Sequence, residues 1–201
     1  MNSSFFYSLL KKQFPFNPTI KQDLFFQQIA EFCTNEDNNE IFVLKGFAGT
    51  GKTTVISTIV NNVSEINKKY VLLAPTGRAA KVISNYSQKP AFTIHKRIYF
   101  PKKNKNGGVG FVMQANKFKD TIFIVDESSM ISDQSNETSL YENSSLLDDL
   151  LFYVDAGQNC KLILVSAHHC SKVLILFSII ENLLGHLIQL LTSPTPSRLT
   201  L

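Results

Sequence analysis

"VLKGFAGTGKTT", residues 43–54, decides the reading of the chain: an apolar, strand-like entry runs into a glycine-rich turn that ends in Lys-Thr-Thr. Gly46 to Thr53 satisfies the pattern G-x-x-x-x-G-K-[ST] at every position. Glycines let the backbone turn tightly enough for successive N–H groups to face phosphate oxygens. The helix expected to follow, from about Gly51 to Val63, presents its positive dipole end to the same phosphates. Lys52 would reach the β- and γ-phosphates of a nucleotide, and the Thr53 hydroxyl would ligate Mg²⁺. Gly46, Ala48, Gly49, Thr50, Gly51, Lys52, Thr53 and Thr54 are therefore the candidate nucleotide-binding residues.

A phosphate loop of this kind needs a carboxylate at the tip of another strand. "TIFIVDE" (121–127) supplies one: Asp126 would join Thr53 in holding Mg²⁺, and Glu127 would accept a proton from an attacking water. The two tips are expected to be neighbours, with Lys52, Asp126 and Glu127 as the catalytic set and ATP and Mg²⁺ as the ligands. "IFVL" (41–44), "YVLLA" (70–74) and "KLILVS" (161–166) read as further buried strands, with helical segments between them. Strands apolar at nearly every position, alternating with helices, predict an α/β fold whose parallel sheet is covered on both faces. "NPTIKQDLFFQQIAEFC" (17–33) places Ile20, Leu24, Phe25, Ile29 and Phe32 at helical spacing, with Thr19 as cap. Residues 97–114, "RIYFPKKNKNGGVGFVMQ", hold two β-prone runs around a Lys/Asn/Gly loop and predict an inserted β-hairpin.

Composition narrows the class. The 201 residues are 44% hydrophobic and 18% charged, which fits a soluble globular domain, and the net charge of +4 is compatible with a polyanionic partner. Cys33, Cys160 and Cys170 are odd in number and lack metal-type spacing, so a reducing, cytoplasmic setting fits better than a disulfide framework. "MNSSFFYSLLKK" carries its positive charges after the apolar residues, the reverse of a secretory signal.

"GFAGTGKTT", "LAPTGRAAKVIS", "FTIHK" and "IVDESSMIS" occur in an order and spacing that resemble the first motor domain of superfamily 1B DNA helicases, the RecD-like and Pif1-like enzymes. The resemblance runs from about residue 17 to 165. It implies a RecA-like, P-loop NTPase fold and ATP-driven 5′-to-3′ movement along single-stranded DNA. Pro75, Thr76, Gly77 and Arg78 then lie where a strand end enters a helix, suited to a DNA phosphate, and Thr93, His95 and Lys96 form a second candidate DNA contact. Gln22 looks like the family's adenine-reading glutamine, and Lys102, Lys103 and Lys105 are further candidates for DNA phosphates. Each also has a structural reading: a surface Gln, a solvated Arg on a capped helix, a packed His, a solvated turn.

The pattern stops after Val165. The family continues with Gly-Asp-x-x-Gln-Leu-Pro-Pro, whereas this chain reads "SAHHCSKVLILFSIIENLLGHLIQLL". The expected organisation is a RecA-like domain over residues 1–165 and an atypical apolar tail over 166–201. The tail reads as a membrane helix, an amphipathic helix covering a sheet edge, or the product of a frameshift; its polar Glu181, Asn182, His186 and Gln189 argue against a spanning segment. The expectation is a truncated helicase, needing a protein partner for its second motor domain and unable to unwind DNA by itself. The rival expectations are a non-catalytic module that binds ATP or single-stranded DNA, and a stand-alone P-loop ATPase with a protein partner.

Overall fold

The computed structural model describes residues 2–36, 41–103, 109–131, 145–167 and 189–190. In chain order its helices and strands are α1 (Ser3–Gln13), α2 (Ile20–Thr34), β1 (Ile41–Gly46), α3 (Lys52–Asn62), β2 (Lys69–Ala74), α4 (Gly77–Ser87), β3 (Ala91–Thr93), α5 (Ile94–Ile98), β4 (Tyr99–Lys103), β5 (Val109–Met113), β6 (Thr121–Val125), α6 (Leu146–Asp155), β7 (Lys161–Ala167) and β8 (Gln189–Leu190). Two short 3₁₀ turns follow α3 and β6, at Val63–Ile66 and Ser128–Met130.

Six strands form one parallel sheet in the order β3-β2-β6-β7-β1-β8, as the apolar strand runs predict. Strand side chains alternate between faces, and that alternation sorts the interior into two cores. Phe42, Leu44, Leu72, Ile122, Ile124, Ile163 and Val165 point to one face, under α1, α2, α3 and Ile83 of α4. Val43, Leu73, Phe123, Val125, Leu162 and Leu164 point to the other, under α5, α6 and the root of the hairpin. Helices therefore cover both faces. The edge strands β3 and β8 go beyond the four strands predicted.

α1 buries Phe6 and Leu10, one helical turn apart, and Phe14 just past its end. Phe14, Phe26, Phe25, Phe42 and Phe32 then make a run of edge-on and tilted ring contacts, with centroids 5.1–5.9 Å apart, that joins α1 to α2 and to the sheet. Thr19 caps α2 as expected and forms a full capping box with Gln22. The apolar face of α2 differs from the sequence reading. Its buried stripe is Phe25, Phe26, Ile29, Ala30, Phe32 and Cys33, whereas Ile20 and Leu24 are 83% and 40% exposed. Ile20 and Leu24 satisfy helical spacing with Phe25 and Ile29, but their rows lie off the stripe that the Phe25–Phe26 pair anchors.

At the far end of α2 no basic residue sits in the last turn; Lys161 of β7, 1% exposed, supplies the cation instead. Its ammonium donates to the Phe32 carbonyl at 2.9 Å and to the Asn35 side chain, at the negative end of the helix dipole. The hairpin β4–β5 pairs Tyr99 with Met113 through Lys103 with Val109, as predicted. Its root is fixed by the buried Tyr99 hydroxyl, which donates to Asp149 of α6. Cys33 and Cys160 are free, buried thiols in opposite cores, and burial pushes Cys33 up to about 12.

Among the described residues no helix is long and apolar enough to cross a membrane. Lys105, Cys170 and all of the apolar tail segment 173–191 except Gln189–Leu190 lie outside the described residues. Of the tail, Gln189–Leu190 is described, as the short parallel edge strand beside β1.

Candidate nucleotide-binding site

The predicted site residues gather at the carboxyl ends of the parallel strands, where open α/β sheets place ligands. β1 ends at Gly46, and the turn that follows has Gly49 and Gly51 in the left-handed region, at φ 78° and 85°. Gly51 is the N-cap of α3 and has no side chain to offer. All the other described α-helices start under a side-chain cap, from Asn2, Thr19, Thr76, Thr93 and Ser145. The start of α3 thus keeps its N–H groups for an anion. Lys52 folds its ammonium back onto the carbonyls of Gly46 (2.8 Å) and Phe47 (2.9 Å), at the lip of the same turn.

The Asp-Glu pair follows β6, which ends two residues earlier than predicted, at Val125. The β1 and β6 tips are not adjacent, as the sequence reading had them: β7 lies between. Two interstrand spacings separate them, about 10 Å. Asp126 is 8% exposed, and burial raises its carboxyl from the ordinary 3.8 to about 6. The neighbouring Glu127 charge adds to the rise, while the Glu127 N–H (3.0 Å) and the Lys52 charge oppose it. Lys52 and Asp126 therefore feel each other across the β7 tip. Glu127 is exposed and left-handed (φ 54°, ψ 38°), an uncommon conformation for a residue with a side chain.

These groups suit a Mg²⁺-bound triphosphate. Thr53 in the first turn of α3 and the buried Asp126 carboxylate are hard oxygen donors of the type Mg²⁺ takes, and the uncapped helix start suits phosphate. Gln22 reaches the loop from α2, its amide nitrogen donating to the Thr50 carbonyl at 3.2 Å while its oxygen accepts from the Thr19 N–H at 2.9 Å. Beside it opens a cleft of about 980 Å³, walled by Phe14, Phe16, Ile20 and Gln22 and floored by Gly49, Thr50, Gly51 and Thr54. Phe16 and Ile20, both exposed, are residues that the sequence reading either passed over or assigned to the core. The signal was present in Phe-Pro-Phe at 14–16, directly ahead of the Thr19 cap. Thr54 shares a 2.7 Å hydrogen bond with Tyr86 of α4.

The predicted DNA-contacting segments lie at the same edge, on β2 and β3. Ala74 and Thr93 are register partners, so Pro75–Arg78 and Thr93–Lys96 leave adjacent strand tips. Thr76 and Thr93 both act as helix caps, accepting from Ala79 N–H and Lys96 N–H at 3.2 Å each. Each hydroxyl proton remains for a further acceptor, but the two capped N–H groups are spent. Arg78 is exposed. His95 is exposed, its ring 5.7 Å from that of Tyr99, and partial desolvation lowers its pKa from the ordinary imidazole value. Lys96 and Arg97 lie over the Phe92 ring, at 5.8 and 4.2 Å from its centroid.

Residues 28–162 match the family model described as AAA domain. The chain belongs to the AAA domain family. Two curated relatives match the chain: an uncharacterized protein of Methanocaldococcus jannaschii, 33% identical over 140 residues, and an uncharacterized protein of Acanthamoeba polyphaga mimivirus, 34% identical over 146. The matches cover 64% and 61% of this chain but 12% and 29% of those proteins, so the chain spans a minor part of the length of each. Among solved structures, the large terminase of bacteriophage HK97 superposes with a TM-score of 0.58 over 98% of this chain and 45% of that one. At 13% identity the likeness is one of fold. Fold and family together make the site that of a P-loop ATPase domain.

Proposed function

We propose that this AAA domain is the first motor domain of an ATP-dependent, RecD-like DNA helicase that moves 5′-to-3′ along single-stranded DNA. The observation that carries the reading is the shared edge: the Lys52 turn and the Asp126–Glu127 turn flank the β7 tip, and the starts of α4 and α5 continue the same row of strand ends. Nucleotide and DNA phosphates would then bind one rigid sheet. The four sequence motifs, in family order, support the same assignment.

In this reading the loop N–H groups and Lys52 would hold the phosphates, and Thr53 and Asp126 would hold Mg²⁺, which would supply positive charge against the charge that builds up in phosphoryl transfer. Gln22 and the Phe16–Ile20 wall receive the adenine. Glu127 takes a proton from water as the water oxygen bonds to the γ-phosphorus, the β–γ bridge breaks, and ADP and phosphate leave. Arg78 and the Thr93–Lys96 segment hold DNA phosphates. A second motor domain, supplied by a protein partner or by further chain, would bring an arginine to the transferred phosphoryl group, worth about 10³–10⁵ in rate in other phosphoryl-transfer enzymes. The 201 residues by themselves are expected to bind nucleotide, hydrolyse it feebly and unwind nothing.

ATP turnover by the wild-type chain and by Lys52→Ala, with and without single-stranded DNA, tests the assignment. Slow turnover that DNA accelerates and Lys52→Ala abolishes is the expected result. Turnover indifferent to DNA would favour a P-loop ATPase serving a protein partner, and a wild type without turnover would favour a binding module.

A further inference from the structure

Glu127 is held out toward solvent in a left-handed conformation, and what holds it there is the next residue. Ser128 is 5% exposed, its hydroxyl donating to the Val165 carbonyl of β7 at 2.9 Å. The β6–β7 register ends at Val125 with Leu164, while β7 continues against β1 as far as Ala167. The Ser128 hydroxyl thus takes the carbonyl one residue beyond the last register pair, extending the ladder after the β6 backbone has turned away. On the opposite flank the Asp126 N–H donates to the Leu73 carbonyl of β2 at 3.0 Å. Within the turn, Met130 N–H reaches the Glu127 carbonyl at 2.9 Å and Ile131 N–H reaches the Ser128 carbonyl at 3.1 Å. The Glu127 backbone is therefore clamped between β2 and β7, and on the β7 side Ser128 is the clamp.

We propose that Ser128 is a positioning residue for hydrolysis: its bond to Val165 fixes the turn that aims the Glu127 carboxylate at the attacking water. This rests on the proposed role of Glu127 as proton acceptor. Ser128 touches neither nucleotide nor water. It acts through the backbone, and a base swung out of line by about an ångström loses most of its effect.

The test compares Ser128→Ala and Ser128→Thr in the wild-type and Glu127→Gln backgrounds, using the 201-residue chain with single-stranded DNA. ATP turnover, affinity for a non-hydrolysable ATP analogue with Mg²⁺, and thermal melting are measured for each. Ser128→Ala is expected to lower kcat about tenfold or more, with KM and analogue affinity changed by less than about twofold. Ser128→Thr, which keeps the donor, is expected to restore most of the rate, and Ser128→Ala is expected to cost nothing further where Glu127 is already Gln. Should Ser128→Ala not fold, Ser128→Cys, of similar volume with a weak donor, takes its place. An unchanged kcat, an equal loss in the Glu127→Gln background, or a parallel loss of analogue affinity would overturn the positioning role and leave the ATPase reading intact. A wild type without turnover would sink the hydrolytic reading itself, and this role with it.

Discussion

At the scale of single residues, Asp126 carries the sharpest consequence. Burial lifts its carboxyl from 3.8 to about 6, so at pH 8 the nucleotide-free protein buries a charge at a cost of about 3 kcal/mol. Between those two values the folded protein holds a proton that the unfolded chain has released, so stability falls as pH rises through that window. Asp126→Asn, whose amide oxygen still accepts from the Glu127 N–H, is therefore expected to melt several degrees above wild type at pH 8. The gap should shrink as pH falls through 6 toward 4, which melting curves across that range would show. The same substitution should abolish Mg²⁺-dependent nucleotide binding. A site residue whose removal stabilises the protein is the mark of a group kept for a ligand.

Gln22 combines two roles at the same scale. Gln22→Ala removes the return half of the capping box and the link to Thr50, and is expected to cost about 1 kcal/mol in urea denaturation. If Gln22 also reads adenine, the variant should lose preference for ATP over GTP in competition titrations. A purely structural Gln22 would lose stability and keep the preference.

At the scale of elements, the hairpin and α6 are joined through a buried hydrogen bond. Tyr99→Phe removes the hydroxyl that donates to Asp149, and is expected to cost about 1.5–3 kcal/mol in equilibrium denaturation. The elements also show what the chain announces locally and what it withholds. β1, β2, β6 and β7 were legible because each is a short apolar run set off from helical segments, and the hairpin because Lys, Asn and Gly punctuate it. α1 was passed over, although Phe6, Leu10 and Phe14 lie four apart, because its residues were weighed as a targeting segment. α6 was missed although Ser145 and Asp148 form a capping box at its start, and β3 has three residues, too few for a periodicity. The place of β7 between β6 and β1 was beyond reach, since strand order depends on crossovers that local pattern does not encode. Within the site, the loop glycines, Lys52 and Asp126 were legible from motif chemistry. The capped start of α4 at Thr76 was open to the sequence as an alternative, whereas the capping role of Thr93 and the ladder-extending bond of Ser128 appear once the strand ends are placed.

At the scale of the whole molecule, the account is of one sheet edge serving two polyanions. In the proposed helicase reading the nucleotide would sit toward β1 and β6, and single-stranded DNA toward β2 and β3. Single-stranded DNA affinity should then fall with salt, log K against log[salt] having a slope of about −0.7 per phosphate contacted. Arg78→Ala is expected to flatten that slope by about one contact while leaving Mg²⁺-nucleotide affinity unchanged, as fluorescence anisotropy over a salt series would read. An equal slope in wild type and variant would remove Arg78 from the DNA path.

The central claim is that the Lys52 turn and the Asp126 turn, one strand apart, grip a single Mg²⁺-bound nucleotide. Calorimetric titration of the wild-type chain and of Lys52→Ala with ATP, each with and without Mg²⁺, tests it most directly. Binding by the wild type should be strengthened at least tenfold by Mg²⁺ and lost in Lys52→Ala. Binding that ignores both the metal and the lysine, or no binding to the folded wild-type chain, would contradict it.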